Sequence, residues 1–98
     1  MICVYKILNL VNNKFYIGST LNFSKRKITH LRLLRKNKHH STYLQNAFNK
    51  YGESNFKFVI LKKTDSIKLR KYEQKYLNKL NPSYNISKSA YAPMEGGS

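Results

Sequence analysis

The sequence predicts an α+β domain, and three observations carry that prediction. Ninety-eight residues suit one modest hydrophobic core. Three short runs are rich in β-branched and aromatic residues, and three longer runs place apolar side chains at helical spacing between caps. With 41% hydrophobic and 13% aromatic residues, the composition is that of a folded body rather than a disordered chain.

Residues 2–8, ICVYKIL, and 14–18, KFYIG, read as two strands of a hairpin joined by NLVNN, whose asparagines suit a turn. Gly18 and Ser19 are expected to end the second strand. A helix follows from Asn22 or Phe23 to Lys36. Stepping about 100° per residue puts Phe23, Leu31 and Leu34 on one face and Lys25, Thr29, Arg32 and Lys36 on the other. Arg26 and His30, four residues apart, fall beside Phe23 and Leu34 and therefore point inward along the edge of the buried face.

Ser41 is the expected N-cap of a second helix whose stripe is Leu44, Ala47, Phe48 and Tyr51, and Gly52 stops it. FKFVILK, 56–62, is the third strand. Asp65 or Ser66 is predicted to cap a last helix that runs to Leu80 and ends at Asn81 and Pro82. Its apolar face holds Leu69, Tyr76, Leu77 and Leu80, and Glu73 sits among them. A carboxylate there is costly unless paired or bound to metal, and Arg26 is the partner the sequence offers. The end of the chain, KSAYAPMEGGS, has no periodicity; residues 92–98 read as a flexible tail or a truncated linker.

Nineteen Lys and Arg against four acids give a formal net charge of +15. The cations are spread through the folded region instead of being gathered in a tail, which favours a polyanionic partner, nucleic acid first. No apolar run reaches the length of a membrane span and no signal peptide is recognisable, so a soluble, intracellular protein without a membrane partner is expected. Cys3 is the only cysteine, which excludes an internal disulfide and a thiolate-rich zinc site. In a mixed apolar strand it reads as a core residue.

Convergence of Tyr5, Tyr16, Arg26, His30 and Glu73 would assemble the parts of phosphodiester hydrolysis: a carboxylate for a hard cation, a guanidinium for phosphate, phenol and imidazole for proton transfer. One carboxylate is enough for Mg²⁺, which keeps several waters and takes oxygens from substrate. A tyrosine, with an ordinary pKa of about 10, is a weak base. Nearby cations and a histidine are expected to make it more competent.

These residues resemble the GIY-YIG nucleases. The first half of the signature appears as Cys3-Val4-Tyr5 and the second as Tyr16-Ile17-Gly18. Arg26, His30, His39 ahead of Tyr43-Leu44-Gln45, Glu73 and Asn85 follow in order. The match runs over residues 2–91, so residues 1–91 read as one catalytic domain, most similar to those of homing endonucleases of phage and organellar introns. A phage, bacterial or organellar origin fits. The resemblance implies one three-stranded antiparallel sheet flanked by about three helices, and metal-dependent cleavage of DNA with Mg²⁺ or Mn²⁺ to 5′-phosphate and 3′-hydroxyl ends. It makes Tyr5 the general base or its close partner, Tyr16 a group that positions water or phosphate, Arg26 the phosphate binder, His30 the proton acceptor behind the tyrosine and Glu73 the metal ligand. Gly18, His39 and Asn85 become substrate-binding or structural supports, with Asn85 holding the C-terminal segment against the site.

The glycine that opens the family's first motif is Cys3 here, an expected tolerated substitution. His40 is expected to face solvent; Tyr43, Tyr51, Tyr72, Tyr76, Tyr84 and Tyr91 are expected to pack or to face DNA. Two alternatives stay open: a nuclease of the same fold acting on branched, nicked or single-stranded DNA, and a non-catalytic basic nucleic-acid-binding protein. The sequence leaves open monomer or transient dimer on DNA.

Overall fold

A central strand that is apolar on both sides organises the domain. The computed structural model describes residues 1–86, which run β1 (Cys3–Asn9), β2 (Phe15–Thr20), α1 (Phe23–Arg35), α2 (Thr42–Tyr51), a 3₁₀ turn (Glu53–Asn55), β3 (Phe56–Lys63) and α3 (Leu69–Leu80). The three strands form one sheet of order β2-β1-β3 with both pairs antiparallel. Alternation along β1 then feeds two cores. Cys3, Tyr5 and Ile7, with Tyr16, face Leu34 of α1 and Leu44, Ala47 and Phe48 of α2. Val4, with Ile17, faces Leu69 and Leu77 of α3. Cys3 is a fully buried free thiol, as its place in a mixed apolar strand predicts.

The local signals act as read. In the β1–β2 turn the Asn9 side chain accepts from the Val11 N–H and the Asn12 side chain from the Lys14 N–H, while Asn13 takes the left-handed conformation that asparagine tolerates, φ 62°. Asn22 caps α1 by accepting from the Lys25 N–H at 3.1 Å. Ser41 caps α2 by accepting from the Leu44 N–H at 3.2 Å. Gly52, φ 87°, and Asn81, φ 48°, end α2 and α3.

Four expectations need correction. Gly18 and Ser19 do not end the second strand: they pair with Tyr5 and Val4, and β2 continues to Thr20. The last helix begins at Leu69, not after Asp65 or Ser66, because the Asp65 carboxylate first closes a turn on the amides of Ile67 and Lys68. Leu80, read as part of the buried face, is exposed. Thr29, read as solvent-facing, is half-buried beside a cleft described below. Tyr91 and residues 92–98 lie outside the described residues.

Two irregularities surround Tyr5. The β1–β3 register shifts between Val4 and Tyr5, which pair with Lys62 and Ile60 and leave Leu61 as an extra residue; such a bulge re-aims the neighbouring side chain. On the other side, the Tyr5 ring lies across Gly18: a Cβ there would stand 2.5 Å from Tyr5 Oη and 2.6 Å from its Cζ. The ring cannot retreat easily, since Phe23, His30 and Phe58 pack against it. Gly18→Ala is therefore expected to lower stability by about 1–3 kcal/mol, the scale of overpacking a core, measured by chemical denaturation. A variant as stable as the parent contradicts this close approach.

Candidate active site

Tyr5 and Tyr16 project from β1 and β2 onto the same face of the sheet, and a buried chain of polar groups from α1 and the α1–α2 connection meets them. Tyr5 Oη lies 2.6 Å from His30 Nε2. His30 Nδ1 lies 2.7 Å from His39 Nε2. His39 Nδ1 lies 3.0 Å from the Ser41 backbone nitrogen. Tyr5, His30, His39 and Ser41 are each at most 6% exposed, so each polar atom must find its partner within the protein.

The direction of every bond in this chain follows from its far end. A backbone N–H only donates, so Ser41 makes His39 Nδ1 an acceptor and places the proton of a neutral His39 on Nε2. His39 Nε2–H then donates to His30 Nδ1, which places the proton of His30 on Nε2, facing the oxygen of Tyr5. His30 thus donates to Tyr5 in the resting state, the reverse of the direction the family resemblance suggests. Neutral rings are what the electrostatics favour. Burial, then the neighbouring His39 and the Arg26 charge, push His30 far below the ordinary imidazole range; burial and His40 push His39 down to about 4.

Arg26, half-buried on α1, joins the two faces of the sheet. It hydrogen-bonds the Tyr5 phenol and lowers its pKa, yet burial and the nearby Tyr16 outweigh it and hold the phenol well above its ordinary value. The expectation that nearby cations and a histidine would make this tyrosine a more competent base is therefore opposed by desolvation. Glu73 approaches from α3, on the opposite face. It is 4% exposed, and its Oε1 accepts from Ser19 Oγ at 2.7 Å. Burial raises its pKa, while the Ser19 hydrogen bond and the charges of Arg70 and Arg26 act against that rise. The sequence offered Arg26 as partner; the hydrogen bond is made by Ser19, with Arg26 acting through its charge.

The remaining candidates sit around this group. Tyr16 Oη is 3.1 Å from Nε2 of His40, so His40 is half-buried at the site and not turned to solvent as expected; its ring stacks on His39. Asn85 bonds the backbone of Ile17 at both ends, accepting from its N–H and donating to its carbonyl, each at 2.8 Å. Ile17 stands between Tyr16 and Gly18 on an edge strand, and this side-chain amide occupies the place of a fourth strand there. Ser41 Oγ also donates to the Tyr84 carbonyl at 2.6 Å, and Gln45 binds the His39 N–H and the Leu34 carbonyl, each at 3.0 Å. Sequence reading gave no functional place to Ser19 or His40. The hydroxyl two residues from Tyr16's neighbour Ile17, on the face α3 covers, was the available signal for Ser19.

Because His30 and His39 are held neutral, the unfolded chain binds more protons than the folded one once pH falls below the ordinary 6.5. Their contribution is complete above that value and is lost as pH falls toward about 4, the depressed value of His39. Glu73 has the opposite sign, so the cleaner measurement uses Glu73→Gln. Its stability is expected to drop by roughly 4 kcal/mol from pH 7.5 to 5, about 2 kcal/mol for each histidine, and His39→Gln in the same background should roughly halve the drop. Denaturation curves that show equal stability at both pH values contradict the neutral chain.

The sequence profile of the GIY-YIG catalytic domain matches residues 1–85. The chain is 35% identical over 92 residues to Intron-associated endonuclease 1 of Enterobacteria phage T4, covering 90% of this chain and 38% of that protein. It is 44% identical over 57 residues to the Neurospora crassa protein named "Probable intron-encoded endonuclease 1", covering 58% of this chain and 17% of that one. The chain thus spans well under half the length of either relative. Among solved structures, the catalytic domain of homing endonuclease I-TevI superposes with a TM-score of 0.82 at 34% identity, over 89% of this chain and 99% of that one. A mutant of that I-TevI domain gives 0.83 at 32% identity, over 93% and 98%. The family profile over residues 1–85, the 35% identity to the phage protein over 90% of this chain and the shared three-stranded fold agree: this chain belongs to the GIY-YIG catalytic domain family.

Proposed function

We propose that residues 1–91 form the nuclease domain of a metal-dependent DNA endonuclease, with residues 92–98 as a tail or the start of a linker. The observation that carries this reading is Glu73: a buried carboxylate on the apolar side of a helix, held by Ser19 and flanked by the charges of Arg26 and Arg70. Among the described residues no group of three His, Cys, Asp or Glu side chains could hold a metal together. That donor set fits Mg²⁺ or Mn²⁺, which would rest on Glu73 and complete its shell with water and substrate oxygens. When bound, the ion would polarise the phosphate as a Lewis acid and bring positive charge near the phenol of Tyr5.

The protein's own groups divide the remaining work. Arg26 binds a non-bridging oxygen of the scissile phosphate and stabilises the charge that builds on it as water attacks. With substrate bound, Tyr5 first gives its phenolic proton to solvent, a loss that the two donors aimed at its oxygen, His30 Nε2–H and Arg26, favour; the phenolate then takes the proton of the attacking water. The orientation of both donors is fixed before substrate arrives, so little reorganisation is needed. Tyr16, turned toward His40, positions water or phosphate beside it. The 3′ oxygen leaves and takes a proton from solvent, giving a 5′-phosphate and a 3′-hydroxyl. DNA is the partner, reached through the cationic surface; no helix among the described residues is long and apolar enough to cross a membrane.

Arg26→Ala should cut plasmid at least about a hundredfold more slowly in Mg²⁺ or Mn²⁺, the scale of losing one preorganised donor, with binding weakened by only about fivefold, the loss of one phosphate contact. Lys36→Ala, on the exposed end of α1, is the control. Glu73→Gln should remain folded, within about 2 kcal/mol of the parent, and bind DNA without cutting it; a purely structural buried pair would instead cost about 3–5 kcal/mol. Parental cleavage by Glu73→Gln would remove the mechanism.

A further inference from the structure

Beside the Ser19–Glu73 bond a cleft of about 340 Å³ opens between the end of β2 and the first turns of α1 on one side and the start of α3 on the other. That is well above the roughly 10–15 Å³ of such space that one water needs, so the cleft admits groups larger than water, a phosphodiester among them. Three cations line it: Lys25 and Arg26 from α1, and Arg70 from α3. The reaction described above uses Arg26 alone.

The charge balance of this cleft is uneven. The chain has four acids, Glu53, Asp65, Glu73 and Glu95. Glu53 is taken by Arg35 in a two-bond pair at 2.8 and 2.6 Å, and Asp65 is turned onto the amides of Ile67 and Lys68. Among the described residues this leaves Glu73 as the acid set against three cations. Arg70 lies one helical turn before Glu73, so the two share a face of α3, and its charge acts on that carboxylate. Yet Arg70 itself is exposed at the cleft, where its planar fork can meet phosphate oxygens in pairs.

We propose that Arg70, with Lys25, forms a second phosphate subsite in this cleft, which holds the DNA phosphodiester next to the one bound by Arg26, so that one strand is gripped from α1 and α3 together. The proposal rests on the nuclease reading and adds the side of the site from which the flanking strand is held.

The test combines Arg70→Ala and Arg70→Lys with short duplexes in which single phosphates are replaced by neutral methylphosphonates. Binding is read by fluorescence anisotropy without divalent metal, and plasmid cleavage is read with Mg²⁺. Arg70→Ala should weaken binding of the unmodified duplex by about fivefold and reduce the salt slope by about 0.9, the signature of one lost phosphate contact. At one methylphosphonate position the parent should lose affinity while Arg70→Ala loses no more. Arg70→Lys should restore the salt slope and only part of the affinity. Lys75→Ala, exposed on α3 away from the cleft, is the control. Arg70→Ala that binds like Lys75→Ala, or that loses affinity equally at every methylphosphonate position, overturns the subsite. Unchanged binding with a shifted pH–rate profile does the same, since it leaves Arg70 only the task of keeping Glu73 ionised. A parent protein that cuts plasmid in any of these cases keeps the nuclease reading; a parent that neither binds nor cuts removes both.

Discussion

The Ser41 backbone N–H donates to His39 Nδ1 at 3.0 Å, and the proton arrangement of the buried polar chain depends on that bond. It sets His39 as a donor to His30 and His30 as a donor to Tyr5. Reversing the tautomers would point the His39 proton at the Ser41 N–H and leave two buried donors without acceptors, at about 1–3 kcal/mol each. The same serine starts α2 and clasps the Tyr84 carbonyl. Helix start, C-terminal segment and tautomer are thus set by one buried residue.

The sheet then brings two chemistries to one edge. Residues of β2 alternate, so Tyr16 and Gly18 face the histidines while Ile17 and Ser19 face α3. Gly18 lets the Tyr5 ring cross β2, and Asn85 closes the outer edge at Ile17. Arg26 acts on both sides, bonding Tyr5 and biasing Glu73 toward its ionised form. The candidate site is therefore shared between the two faces of the sheet, with the central strand between them.

Much of this was legible in residue order. Caps at Asn22, Ser41, Gly52 and Asn81 are local signals, and the inward turn of His30 and Glu73 followed from helical periodicity. Periodicity names a face, however, and not the neighbour across it. Whether Glu73 met Arg26 or Ser19 depended on strand register, which no single segment encodes. His40 was misread because it lies in a connection with no period at all. The phenol of Tyr5 was misjudged for another reason: its charged neighbours are visible in the sequence, whereas the depth of its burial becomes apparent only after both sheet faces are covered.

The proton pattern of the His39–His30–Tyr5 chain is read directly by nitrogen-15 NMR of the histidine rings. In protein labelled at its imidazole nitrogens, at pH 7, long-range proton–nitrogen correlations assign which nitrogen of each ring carries hydrogen. His30 and His39 are both expected to be neutral, protonated on Nε2 and bare on Nδ1. A His30 ring protonated on Nδ1, or a charged ring at either position, would contradict this pattern.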